Sequence, residues 1–165
     1  MLDTMDGMRD PRNPPSSRAP LVWALGAAIP WAVALVGIGV WFALDDRLRW
    51  LQFLVALAAV VCAVVSVGVV PMWRYRVHRW EISDTAVYTR SGWLMQERRI
   101  APISRVQTVD THRGPLDRLF GLATVTVTTA SSAGAVQIAA LDTAVADGIV
   151  AHLTAVAAIG EADAT

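Results

Sequence analysis

The chain has 165 residues, more than half of them apolar, and its 14 basic and 14 acidic residues cancel. Zero formal charge removes any overall field that would draw nucleic acid. The lone cysteine, Cys62, excludes an internal disulfide and a cysteine-based zinc site.

Residues 1–20 hold four of the eight prolines, Pro11, Pro14, Pro15 and Pro20, and their Asp and Arg residues balance. With no apolar face to bury, this stretch is expected to be a disordered cytoplasmic tail. Two apolar runs follow, 21–44 and 51–70, and neither contains a charged residue. As helices of 24 and 20 residues they extend about 36 and 30 Å, enough to cross a hydrocarbon core. Six residues, 45–50, join them, so they are expected to form an antiparallel transmembrane hairpin over 21–70. The first run is too long for a signal peptide. Pro30 is expected to kink it. Trp23, Trp41, Trp50 and Trp73 stand near the ends of the spans, as interfacial aromatics do. Ala56, Ala59, Ala63 and Ser66 give the second span a small-residue face suited to close helix approach. Arg9, Arg12, Arg18, Arg74, Arg76 and Arg79 flank the hairpin on one side, against Arg47 and Arg49 in its turn. The positive-inside rule then puts both termini in the cytoplasm.

Beyond Met72 the pattern alternates. Strands are expected over 74–82, 86–90, 93–100, 106–111, 123–130 and 135–139, with turns at 83–85, Ser91-Gly92 and 131–134. Gly114-Pro115 opens a short helical turn over 116–120, which Gly121 closes. A final helix is expected from the N-cap Asp142 to about Ala157, its stripe formed by Val145, Ile149, Leu153 and Val156. Residues 159–165 form a flexible tail. Short antiparallel strands closed by one amphipathic helix pack as a sandwich or a partly open barrel.

The segments 102–109, 114–116 and 119–127, with Arg74-Tyr75-Arg76-Val77 just past the spans, resemble the membrane-flanked bacterial pleckstrin-homology family of the YdbS-like type. The resemblance covers residues 21–157. It implies a pleckstrin-homology-like domain over 72–158, tethered to the inner face of a bacterial membrane, and a protein that is not an enzyme. Arg105, Gln107, Gly114, Pro115, Leu119, Phe120 and Gly121 match the family pattern. Gly114, Pro115 and Gly121 read as turn residues, and Leu116, Leu119 and Phe120 as a one-turn apolar plug. The loop 83–85 carries no Lys or Arg, which argues against inositol-phosphate recognition.

Arg74, Arg76, Arg79, Arg98 and Arg99 are candidates to face anionic lipid. Alternation along a strand, however, would put Arg74 and Arg76 on one face and Arg79 on the other. Ser104, Asp110 and His112 lack a nucleophile elbow and are expected on a solvated face. His78, His112 and His152 lack ligand spacing, so no catalytic residue, cofactor or metal is expected. The expected function is a membrane-anchored interaction or scaffold module. Its partners are the bilayer and another membrane protein or a second copy, and by analogy its role is envelope maintenance or stress defence. The alternatives are an anionic-lipid sensor built on the arginines and an accessory subunit of a membrane enzyme complex.

Overall fold

The computed structural model describes residues 11–92, 96–130 and 134–162, with side-chain burial to Val156. The start of the strand expected over 93–100 and residues 131–133 of the turn expected at 131–134 lie outside the described residues, as do residues 1–10 and 163–165. The chain divides into two units: Pro20–Trp73, and residues before and after it that fold together.

The first unit holds the two apolar helices. Helix α1 spans Ala19–Leu44 and passes through Pro30. Helix α2, Arg49–Val64, continues through a π turn, Val65–Val69, into α3, Val70–Val77, giving one helical rod over Arg49–Val77. Only 6% of the apolar window of the first rod is buried and none of the second, so these are not core helices of a soluble fold. Their exposed Leu, Val, Ile and Phe side chains require an apolar solvent.

The link between the rods is shorter than expected, because α2 begins at Arg49. Asp45 Oδ1 accepts the Arg47 N–H at 2.9 Å, and Arg49 pairs with Asp46 while its Nη1 donates to Phe42 O. Gln52, fully buried, donates from Nε2 to Asp45 O at 2.6 Å and Trp41 O at 3.3 Å. It thereby satisfies the Asp45 carbonyl just past the end of α1 and shares the Trp41 carbonyl with the Asp45 N–H. Phe42 and Phe53 meet edge to face with centroids 5.2 Å apart.

Pro71 does not end the second rod. Its ring would clash with the carbonyl four residues earlier, and the π turn immediately before it widens the spiral, with Val70 N–H bonding Val65 O. Helix therefore replaces the first part of the strand expected over 74–82. Only Arg79–Ile82 is extended, as β1. The run 74–77 fits either period, and the helix emerging from the span decides it.

The second unit contains two antiparallel sheets. One has the order β1-β2-β3, with β2 at Ala86–Ser91 and β3 at Glu97–Pro102. A 3₁₀ turn, Ile103–Arg105, leads to the other sheet, β4-β5-β6, with strands Val106–His112, Leu122–Thr129 and Val136–Asp142. Helix α4, Pro115–Phe120, sits between β4 and β5, and α5, Thr143–Ala162, closes the unit. The two apolar helices, the β sandwich and the C-terminal helix match the fold read from sequence. In β5, Val125 and Val127 point into the core and Thr124, Thr126 and Thr128 stand less buried, as their alternation dictates.

The core joins Val87, Ala101 and Ile103 to Val125, Val127, Ile138 and Leu141, under Ala146, Ile149 and Leu153 of α5. Here the predicted stripe is corrected. Val145 is 41% exposed, and Ala146 takes the buried position. Asp142 ends β6, and the helix begins at the next residue, Thr143, where an N-cap at Asp142 places it. Residues 11–19 do not behave as a disordered tail either. Asn13 bridges Trp80 of β1 through two backbone hydrogen bonds of 3.0 and 2.9 Å, and Ser16 N–H donates to Ala140 O at 2.9 Å. This strap crosses from the edge of one sheet to the edge of the other. The fixed φ of its prolines lowers the cost of ordering it.

Candidate functional site

The arginines singled out from sequence occupy four kinds of position. Arg74 and Arg76 lie in the last turn of α3, where cations complement the helix dipole. Arg79 opens β1 and donates from Nη1 to Tyr75 O at 2.9 Å and His78 O at 2.8 Å. Arg98 lies exposed on β3. Arg99 points elsewhere: it pairs with Glu97 at 2.7 Å and donates from Nη1 to Ala135 O at 2.8 Å, tying β3 to the approach of β6.

Strand pairing assembles a different set. Arg79 sits opposite Arg90, and Arg90 opposite Arg98. Directly opposed residues project from the same face, so three guanidinium groups form one row across β1, β2 and β3. Arg90 was missed from sequence because only the hairpin register places it between the other two. Its Nε donates to Val77 O at 3.2 Å. With Arg79 it satisfies the terminal carbonyls of α3. Like charges in direct opposition destabilise a sheet, and here the partial negative charge of the helix end offsets that cost.

His78 is half-buried in the bend between α3 and β1 and donates its backbone N–H to Arg74 O at 2.9 Å. Burial, then the Arg74 charge, push its pKa down to about 4, so the imidazole is neutral at pH 7. A recess beside it is lined by Pro15, Arg79, Trp80, Arg90 and Gln137. Its interior volume of about 10 Å³ matches a single water.

The residues of the family pattern serve the turn between β4 and β5. Gly114 caps α4, and its N–H donates to Asp117 Oδ2 at 3.0 Å. Pro115 takes the first helical position, and Gly121 ends the helix at φ 69°, a conformation that favours glycine. Phe120 O accepts Arg18 Nη1 at 3.1 Å, and Gly121 O accepts both Thr143 N–H and Thr143 Oγ1. Arg105 O accepts Ala130 N–H, and Gln107 lies at the register shift in β4. Leu119 departs from the apolar plug expected of it. It is 76% exposed, while Leu116 and Phe120 are half-buried. The i, i+3, i+4 spacing puts the three on one helix face, so periodicity alone does not reveal that Leu119 stays exposed.

Strand β4 is an outer strand, paired only with β5. Gln107, Thr108, Asp110, Thr111 and His112 are exposed along it. Asp110 Oδ2 accepts Thr108 Oγ1 at 3.2 Å, and Ser104 lies apart in the 3₁₀ turn. Among the described residues, no backbone hydrogen bond reaches the outer edge of β4.

A pair of bilayer-length apolar helices followed by a two-sheet sandwich with a C-terminal helix defines a membrane-anchored pleckstrin-homology-like protein. Residues 21–157 match the family model described as Bacterial PH domain, and the chain belongs to that family. It is also 32% identical over 125 residues to the UPF0699 transmembrane protein YdbS of Bacillus subtilis (strain 168), covering 74% of this chain and 79% of the relative. No solved structure matches the chain.

Proposed function

We propose that this protein is a non-enzymatic interaction module held at the cytoplasmic face of a bacterial membrane, and that it pairs through β4 with an extended segment of another membrane protein. The observation that carries this is the open edge of β4, a seven-residue strand paired on one side with β5, whose alternate residues direct their backbone donors and acceptors outward. Main-chain pairing at such an edge supplies affinity, and alternate side chains supply selectivity. Tethering to one surface raises effective concentration, so weak contacts suffice. Asp110 keeps the edge from self-association, a role charged groups play on exposed strands. The test places a photoreactive side chain at Thr108 or His112 in the full chain in its native membrane. A discrete protein adduct from both positions, absent from Asp84 in the β1–β2 turn, is the expected result. Adducts of equal yield from all three sites would reject edge pairing.

The arginine row favours a second function, contact with anionic headgroups by the β1-β2-β3 sheet. It replaces the five-arginine set with Arg79, Arg90 and Arg98. Hydrogen exchange of the chain in nanodiscs separates the two. Anionic lipid that slows exchange in this sheet, with the effect lost at high salt and in Arg90→Gln, supports headgroup contact. Equal exchange in anionic and zwitterionic discs rejects it.

A further inference from the structure

Within the β sandwich and its helices α4 and α5, the exposed large apolar side chains among the described residues are Ile100, Leu119 and Val145, and Leu119 is the most exposed of them. A single exposed leucine is unremarkable by itself. Its location is what matters. Arg18 Nη1 donates to Phe120 O at 3.1 Å, and the next residue, Ala19, is the first of α1. Ser16 Oγ donates to Asp142 Oδ1 at 2.8 Å, and Thr143 N–H donates to Gly121 O at 3.0 Å. These three bonds gather residues 16–18, the end of α4 and the start of α5 at one end of the β unit. That end is where the chain leaves for its first membrane-crossing helix.

We propose that Leu119 inserts into the headgroup–acyl boundary of the bilayer, making α4 a second, non-covalent membrane contact. The occupant of this exposed position is lipid, because the backbone carbonyl of the next residue is held by the residue preceding α1. Continuity with the span, and not the leucine alone, selects the bilayer. The neighbouring Arg118 is exposed and sits in the last turn of the same helix, long enough for its charged end to stay at phosphate depth while Leu119 goes deeper. Val145, two residues beyond Thr143 near the start of α5, is also exposed. Short apolar elements of this kind bind an interface through buried area supplemented by basic residues.

The inference rests on the assignment of the helices as membrane spans, and the experiment keeps the two apart. In a Cys62→Ser background, single cysteines at Leu119, at Leu35 within α1, and at Asp84 are labelled with an environment-sensitive fluorophore. The full chain is reconstituted at no more than one copy per vesicle, in phosphatidylcholine–phosphatidylglycerol vesicles carrying lipids with a nitroxide near the headgroup. Quenching at position 119 at least threefold above that at position 84 is expected, with a blue-shifted emission. Quenching at 119 no greater than at 84, while 35 reports the acyl region, overturns the contact and leaves the spans intact. An aqueous signal from 35 overturns the membrane assignment itself. Protection of 119 that appears only at many copies per vesicle assigns the surface to a second copy and also overturns the proposal. Leu119→Ala, which removes the apolar group without introducing a label, is expected to raise hydrogen exchange of α4 in vesicles and leave it unchanged in detergent. Equal exchange of both forms in vesicles overturns the contact.

Discussion

Two residues show how much of this fold depends on polar groups outside the apolar runs. Ser16 spends its backbone N–H on Ala140 O and its hydroxyl on Asp142 Oδ1. A hydrogen bond to a charged acceptor in a part-buried position contributes about 1–2 kcal/mol. Ser16→Ala is therefore expected to lower the opening free energy of β6 by that amount, measured by native-state hydrogen exchange. An unchanged exchange rate in β6 would mean the strap is ornamental. His78 gives a pH dependence of definite sign. Its folded pKa, about 4, lies below the ordinary value of 6.5. The unfolded chain therefore binds more protons between those values, and stability rises with pH across that window and levels off above it. The contribution is complete above pH 6.5 and is lost as acidification reaches pH 4. His78→Gln is expected to flatten that part of the stability profile, read from chemical denaturation at a series of pH values in detergent.

Among the elements, α5 makes the clearest quantitative demand. Leu153 is fully buried under both sheets, and its truncation to Ala should cost about 2–5 kcal/mol. Val145, on the exposed side of the same helix, should cost under about 0.5 kcal/mol as Val145→Ala. A stripe running through Val145 would reverse that order, so thermal unfolding of the two variants decides between the faces. Gly121→Ala should destabilise the α4 turn by about 1 kcal/mol or more, because φ of 69° is strained for a side chain, whatever the surrounding space. The strands and turns were legible where local chemistry speaks for itself: the alternation of β5, the Gly-Pro start of α4 and its glycine stop. The helical exit at 74–77 was not, because a run that short satisfies both periods. The strap was not, because hydrogen bonds from Asn13 and Ser16 to strands over 60 residues away leave no local pattern. The arginine site was half legible. Arg79 and Arg98 stood out by their charge, but Arg90 joins them through strand register, and Arg99 leaves them for the same reason.

For the molecule as a whole, the strap carries information about topology that charge counting supplied only indirectly. Residues 11–19 and residues 74–162 belong to one folded unit, so the flanks of the helical hairpin must lie on the same side of any membrane it crosses. An odd number of crossings would tear Asn13 from Trp80 and Ser16 from Ala140. The side we propose is the cytoplasm, on the arginine count: Arg12, Arg18, Arg74 and Arg76 flank the spans, against Arg47 and Arg49 at the turn. Single cysteines at Ser17, Asp84 and Arg47, again with Cys62→Ser, turn this into a measurement on intact cells. A membrane-impermeant maleimide should modify the Arg47 position before lysis and the Ser17 and Asp84 positions only after it. Opposite responses from Ser17 and Asp84 would break the shared unit and with it the fold described for residues 11–19. Concordant labelling of both before lysis would keep the fold and invert the orientation. That would move the β4 edge and Leu119 to the outer surface, where a cytoplasmic partner cannot reach them.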